Sequence, residues 1–186
     1  MQQGFLKGRS MLSNVVDLEM ISMELASKSP DAALVLFDFR AAFPSMSQEF
    51  LFGILEALGL PKEVTNFIAA LYDDSRCEIG LAGRKFTGFE LSAGIRQGCP
   101  LSPLLFALAM DILLRRIARI CPSTTTRAFA DDTAVAMESL RRDGPRVAKI
   151  FKEFGEVSGM HLNIPKCVLI PLWPDTVANA QHSTKV

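Results

Sequence analysis

Met11, Val15, Leu18 and Leu25 recur at helical spacing, which predicts a helix over 11–27, ended by Ser29-Pro30-Asp31. Residues 33–39 then form an apolar run broken only by Asp38. That pattern predicts a buried strand with a carboxylate near its C-terminal end. Two short helices are expected next. Ser45 and Gln48 have capping-box spacing ahead of Phe50, Leu51, Ile54, Leu55 and Leu58 on one face, and Gly59 closes that helix. Pro61 suits the first position of the second, whose apolar face is Val64, Phe67, Ile68 and Leu71. At 76–91 the period changes to alternation. Cys77, Ile79 and Leu81 point one way, Ala82-Gly83 turns, and Phe86 begins the return strand of a hairpin.

Residues 94–103 form a Gly/Pro-rich loop ahead of a long helix reaching about Ile120. Residues 127–137 predict a strand, a tight turn and a second strand, with Asp131 and Asp132 at the tip. Pro145 predicts the start of a further helix, with Val147, Ile150, Phe151, Phe154 and Val157 inward and Gly159 as its cap. Residues 168–172 read as a last strand, and 173–186 have no clear period. There is no internal repeat and no low-complexity segment. Strands do not alternate strictly with helices. The expected class is therefore α+β, a largely antiparallel sheet packed against helices, rather than a doubly wound sheet.

The chain has 186 residues, enough for one domain with a real core. Its 20 Lys+Arg and 20 Asp+Glu cancel, so no overall basic balance points to nucleic acid. Any such role has to rest on particular residues. Cys77, Cys99, Cys121 and Cys167 are widely spaced, and His161 and His182 do not supply zinc-type spacing. Four reduced thiols in an intracellular protein are expected, with nuclear and cytoplasmic location both open. No apolar segment of signal-peptide type follows Lys7 and Arg9 before Asp17 and Glu19. The most apolar stretch, 104–114, is cut by Asp111 and followed by Arg115 and Arg116. It is shorter than the about 20 residues of a membrane span and is expected to be a buried helix.

Asp38, Asp131 and Asp132 each sit in apolar strand sequence, where an ionised carboxylate is costly to bury unless paired or metal-bound. One reading puts all three at strand ends facing water, an adjacent Asp pair being common in turns. The other brings the two strand ends side by side as an oxygen-rich site suited to Mg²⁺. Two such ions can activate a 3′-hydroxyl and stabilise a leaving phosphate oxygen. Like charges crowded there are expected to raise carboxylate pKa values in the absence of metal.

Residues 34–43 (Leu-Val-Leu-Phe-Asp-Phe-Arg-Ala-Ala-Phe), 94–106 (Gly-Ile-Arg-Gln-Gly-Cys-Pro-Leu-Ser-Pro-Leu-Leu-Phe) and 128–132 (Ala-Phe-Ala-Asp-Asp) look like palm motifs A, B and C of reverse transcriptases. The wording is closest to the non-LTR, LINE-type retrotransposon branch. Gln3-Gly4-Phe5 with Gly8-Arg9-Ser10 resembles the segment preceding motif A, and residues 159–166 resemble motif D. The segments occur in the family's order and cover almost the whole chain. The resemblance implies a polymerase palm-like fold with remnants of the fingers, as one partial reverse transcriptase domain over 1–172, followed by an irregular tail, 173–186.

It also implies an RNA-directed DNA polymerase that extends a DNA primer on an RNA template with dNTPs, using two Mg²⁺ ions replaceable by Mn²⁺. Asp38 and Asp131 would bind both metals, Asp132 would complete the cluster, and the Phe39 carbonyl would be a further ligand. Phe43 would be the aromatic gate against a ribonucleotide 2′-hydroxyl; read alone, it is a core Phe. Gln97 and Gly98 would contact the incoming nucleotide. Lys166 would lie near the triphosphate and assist proton transfer to pyrophosphate; read alone, it is a solvated lysine.

Tyr72-Asp73-Asp74 imitates a Tyr-x-Asp-Asp box, but it ends an amphipathic helix and precedes the Gln97 loop, so it is expected to be a solvated helix end. Pro44 stands where the family often has Asp. The basic fingers motifs, primer grip and thumb are not expected within this chain, and activity is expected to need them. A non-polymerising relic is therefore a competing reading. A phosphoacceptor receiver domain is another, disfavoured because there the Asp pair precedes the lone Asp.

Overall fold

The computed structural model describes residues 2, 4–5 and 8–173. Gln3 of the N-terminal motif and the tail from residue 174 lie outside the described residues. Helix α1 (Met11–Lys28) starts at Ser10, whose side chain accepts the Leu12 N–H. It packs over the sheet through Asn14, while Met11 and Val15, two of the residues whose spacing predicts the helix, stay 55% and 54% exposed. Strand β1 (Ala33–Phe37) stops one residue before Asp38, shorter than the apolar run to 39. An unexpected single turn, α2 (Ala42–Ser45), follows.

Helix α3 (Gln48–Ala57) is capped by Ser47, not by the expected Ser45. Ser47 Oγ accepts the Phe50 N–H at 3.2 Å, whereas the Ser45 hydroxyl is spent on the Ala41 carbonyl of its own turn. Leu51, Ile54 and Leu55 bury as expected, but Leu58 does not. Helix α4 (Lys62–Tyr72) buries Ile68 and Tyr72 and leaves Val64 and Phe67 outside. Periodicity identifies its apolar side, but among the described residues no layer covers the first turns of that side. Strands β2 (Arg76–Leu81) and β3 (Arg84–Glu90) form the expected hairpin. Ala82 and Gly83, at φ 49° and 75°, give the doubly left-handed turn that matches the strand twist.

Helix α5 (Ser102–Ile120) runs through the centre of the molecule. Strands β4 (Thr124–Phe129) and β5 (Asp132–Met137) flank a two-residue turn. Helix α6 (Leu140–Ser158) begins well before Pro145, contrary to expectation. Its start is fixed by Ser139 Oγ, which accepts the Arg142 N–H, and by Asp31, whose carboxylate accepts the Arg141 N–H. Pro145 thus sits inside the helix, beyond its first turn, and removes one backbone hydrogen bond to the residue four positions earlier. Gly159, at φ 76°, ends it as expected. A 3-10 turn (Ile164–Lys166) leads to β6 (Val168–Pro171).

The main sheet has the order β4-β5-β1-β6 and is antiparallel throughout, as an α+β fold requires. The face toward α5 and α6 is the core side. Phe37 stacks on Phe151 at 4.2 Å, Phe39 packs on Phe151 and Phe154, and Leu105, Phe106, Met110, Leu113 and Ile117 of α5 are fully enclosed. Each such side chain contributes about 1.5–3 kcal/mol on burial. Among the described residues, no helix is long and apolar enough to cross a membrane. All four cysteines are free thiols.

Candidate active site

The register of β1 on β5 runs from Ala33 opposite Met137 to Phe37 opposite Thr133. One step further along the same register brings Asp38 opposite Asp132. Side chains of opposed residues share a sheet face. Phe37 and Phe39 face the core, so Asp38 and Asp132 lie on the other face, at its C-terminal β1 edge. Asp131 occupies the β4–β5 turn beside them.

Backbone groups here are divided by the same alternation. The Asp38 carbonyl accepts the Asn163 N–H and the Arg40 N–H donates to the His161 carbonyl, both at 2.8 Å. These bonds tie Asp38 and Arg40 to the segment before the 3-10 turn. The intervening Phe39 carbonyl therefore points the opposite way, toward the β5 side.

Asp131 and Asp38 both act on Asp132. Asp132 is pushed above the ordinary carboxylate range, first by partial desolvation and then by the charges of Asp131 and Asp38. Asp132 is more than a third exposed, yet it borders an apolar recess lined by Leu36, Phe129 and α1 residues, which accounts for the desolvation. Asp38 Oδ2 is buried and has no hydrogen-bond partner among the described residues. A dry carboxylate oxygen without a donor is costly and is relieved by a cation. Asp38, Asp131, Asp132 and the Phe39 carbonyl are all hard oxygen donors of the kind Mg²⁺ takes. They do not form a closed cage as they stand: among the described residues, no three His, Cys, Asp or Glu side chains converge to hold a metal.

A second group lies alongside. Phe43, Gln97 and Gly98 line one cavity of about 390 Å³ together with Phe5, Cys99, Ser102 and Pro103. The Ile95 N–H donates to the Phe43 carbonyl at 2.8 Å, and the Gly94 N–H donates to the Met46 carbonyl at 2.7 Å. These bonds lock the Gly/Pro-rich loop onto the chain that follows Asp38. Gly98, at φ 88°, has nothing within 4 Å of a would-be Cβ, so the loop backbone is open to close approach. The Cys99 thiol in the same loop is drawn below its ordinary value, chiefly by the Leu101 N–H. Lys166 is exposed, at the end of the 3-10 turn. Its neighbour Cys167 reaches the Asp38 carbonyl at 3.9 Å, which ties this turn to the carboxylates.

Residues 1–183 match the family model described as reverse transcriptase (RNA-dependent DNA polymerase). The chain belongs to the reverse transcriptase family. Its relatives include the Retrovirus-related Pol polyprotein from type-2 retrotransposable element R2DM of Drosophila melanogaster, 27% identical over 91% of this chain and 16% of that protein. The type-1 element R2 polyproteins of Nasonia vitripennis and Popillia japonica are 28% and 29% identical, over 93% and 86% of this chain and 17% and 27% of those proteins. The resemblance to the non-LTR branch thus holds. This reverse transcriptase chain spans about a sixth of the length of the first two relatives.

Solved structures show the fold. The telomerase of Candida tropicalis truncated from its C-terminal domain superposes with TM-score 0.71 at 14% identity, over 87% of this chain and 35% of that one. The telomerase of Candida albicans in complex with a fragment of telomeric RNA gives 0.70 at 14% identity, over 87% and 31%. The reverse transcriptase fold here is of the polymerase palm type.

Tyr72-Asp73-Asp74 is a helix end, as expected: Tyr72 is buried and both aspartates are exposed. Sequence reasoning missed Gln2. It is 4% exposed, and its side-chain amide bonds both backbone groups of Ala130, next to Asp131. A lone glutamine before the first periodic segment carries no spacing signal that could have revealed this.

Proposed function

We propose that residues 1–172 are one partial reverse transcriptase domain that carries the nucleotidyl-transfer centre of an RNA-directed DNA polymerase. The observation that supports this most is Asp38: its Oδ2 is dry and without a partner among the described residues, and it stands in register with Asp132, whose carboxyl is lifted first by desolvation and then by Asp131 and Asp38. Asp38 and Asp131 would hold two divalent cations, with Asp132 and the Phe39 carbonyl completing the oxygen set. Mg²⁺, or Mn²⁺, bound there supplies the Lewis acidity that lowers the pKa of a primer 3′-hydroxyl and offsets charge on the leaving pyrophosphate.

This chain's own residues would do the rest. The primer 3′-oxygen attacks the dNTP α-phosphorus, and the bond from that phosphorus to the β-phosphate oxygen breaks. Phe43, stacked on Phe106, presents a ring that cannot swing aside for a 2′-hydroxyl. Gln97 and Gly98 would bind the nucleotide in the cavity they share with Phe43. Lys166 would give a proton to the departing pyrophosphate. The partners are an RNA template, a DNA primer and dNTPs.

Primer extension on an RNA template with Mg²⁺ and dNTPs tests the reading, with Asp131→Ala as control. Extension by the wild type that Asp131→Ala abolishes is expected. The formal net charge of +0 favours a second reading, in which the domain no longer polymerises, because phosphate contacts supply most of the affinity for nucleic acid. No extension at high protein concentration, with Mn²⁺ binding by the carboxylates retained, leaves that second reading standing.

A further inference from the structure

We propose that Gln2 is a positioning residue for Asp131, clamping the turn that presents this carboxylate. The role rests on the reading of Asp131 as a metal ligand. Phe129 pairs with Asp132, so Ala130 and Asp131 form a two-residue hairpin turn. Ala130 has φ 55°, a left-handed conformation that such turns usually give to glycine. The sequence of the turn therefore does not account for its geometry, and an outside contact has to.

Gln2 provides that contact. Its Nε2 donates to the Ala130 carbonyl at 2.9 Å, and its Oε1 accepts the Ala130 N–H at 3.0 Å. The same Oε1 accepts the Gly4 N–H at 2.7 Å, and the Gln2 carbonyl accepts from Arg9 Nη1 at 2.9 Å. A bridge from Gln2 to Ala128 lays this segment beside β4. Only an amide offers one donor and one acceptor side by side for both backbone groups of a residue, and Gln2 is buried where water cannot replace it. Gly4 is part of the clamp: a Cβ there would lie 2.3 Å from the Ala130 nitrogen. A side chain at position 4 would push the turn and the segment apart.

The test uses the full chain, with amide exchange at Ala130 read by NMR and Mn²⁺ affinity read by electron paramagnetic resonance. Gln2→Met keeps the side-chain length and removes both hydrogen bonds. Exchange at Ala130 is expected to quicken at least about tenfold, and Mn²⁺ affinity to fall about tenfold. Gln2→Glu keeps the acceptor but turns a carboxylate oxygen toward the Ala130 carbonyl, so it is not expected to restore the Ala130 protection. Exchange that does not change in Gln2→Met overturns the clamp. Faster exchange with unchanged Mn²⁺ affinity makes Gln2 merely structural and overturns the positioning role. Mn²⁺ binding indifferent to Asp131→Ala overturns the metal-site reading itself, and with it this role. A wild-type measurement guards against a Gln2→Met that does not fold. Saturating Mg²⁺ is expected to slow Ala130 exchange, because metal and clamp favour the same turn, and no slowing counts against the proposal.

Discussion

Phe43 lies face to face on Phe106, with ring centroids 4.2 Å apart and planes 11° apart. Phe5 meets Phe43 edge-on at 6.2 Å. A half-buried ring in contact with two others has little freedom, which is what exclusion of a 2′-hydroxyl requires. Phe43→Val is expected to let ribonucleotides into extension products, raising their use relative to dNTPs about tenfold or more. Primer extension with each nucleotide type measures it, and unchanged discrimination would reduce Phe43 to a core residue. Phe106→Ala removes the wholly buried support and is expected to cost about 3–5 kcal/mol of stability in urea unfolding.

Asp132 links stability to pH in a definite direction. Its carboxyl is raised in the folded chain, by desolvation first and by Asp131 and Asp38 next, so folding favours the protonated form. That contribution is complete below the ordinary carboxylate range and is lost as pH rises through the raised folded value. Asp132→Asn is therefore expected to raise the Tm of the metal-free protein at pH 7 and to leave it unchanged at pH 3. Saturating Mg²⁺ is expected to stabilise the wild type more than this variant. A lower Tm for Asp132→Asn at pH 7 without metal would falsify the crowding argument.

Asp143 behaves in the opposite sense. Its side chain is 1% exposed, and Arg142 and Ser123 both donate to its carboxylate. Arg142 above all holds this carboxyl below its ordinary value. The resulting stability is present above the ordinary range and is lost as pH falls through the depressed folded value. Asp143→Ala is expected to cost about 2 kcal/mol at pH 7, with the deficit shrinking toward pH 2. Urea unfolding across that range checks both the size and the slope.

Gly94 and Gly98 share a loop and a positive φ, 92° and 88°, but not surroundings. A Cβ on Gly94 would lie 2.8 Å from the Pro44 carbonyl oxygen, while Gly98 has open space. Gly98→Ala is expected to cost about 1 kcal/mol, the backbone penalty alone. Gly94→Ala is expected to cost more, because the loop must also lift off the chain after Asp38. Equal losses in chemical denaturation would mean that this contact carries no weight.

Much of the site was legible because its chemistry interrupts a pattern. Asp38 and Asp132 stand out as charges in apolar runs, and pairing of those runs is what brings the residues into register. Strand ends, caps and coverage were less legible. Ser45 and Ser47 are both plausible caps by spacing, and only the α2 turn, which consumes the Ser45 hydroxyl, decides for Ser47. Val64, Phe67 and Val157 lie on apolar faces of their helices yet remain exposed, because periodicity says which side is apolar and not what packs on it. Pro145 marked a helix start by its usual place in a first turn, but Asp31 sets the true one through contacts to residues 108 and 110 positions further on.

The bond from Gln2 to Ala130 spans 128 positions, so it closes a loop containing most of the chain. Such a contact pays its entropy late and is among the slowest to form. During synthesis the hairpin carrying Asp131 emerges long after Gln2. The amino-terminal segment must stay unengaged until Ala130 arrives. The helices and the β2–β3 hairpin can form from local contacts, whereas the turn that carries Asp131 waits for two segments 128 positions apart to meet. Folding order thus separates a chain that has its architecture from one that has the Asp131 turn in place.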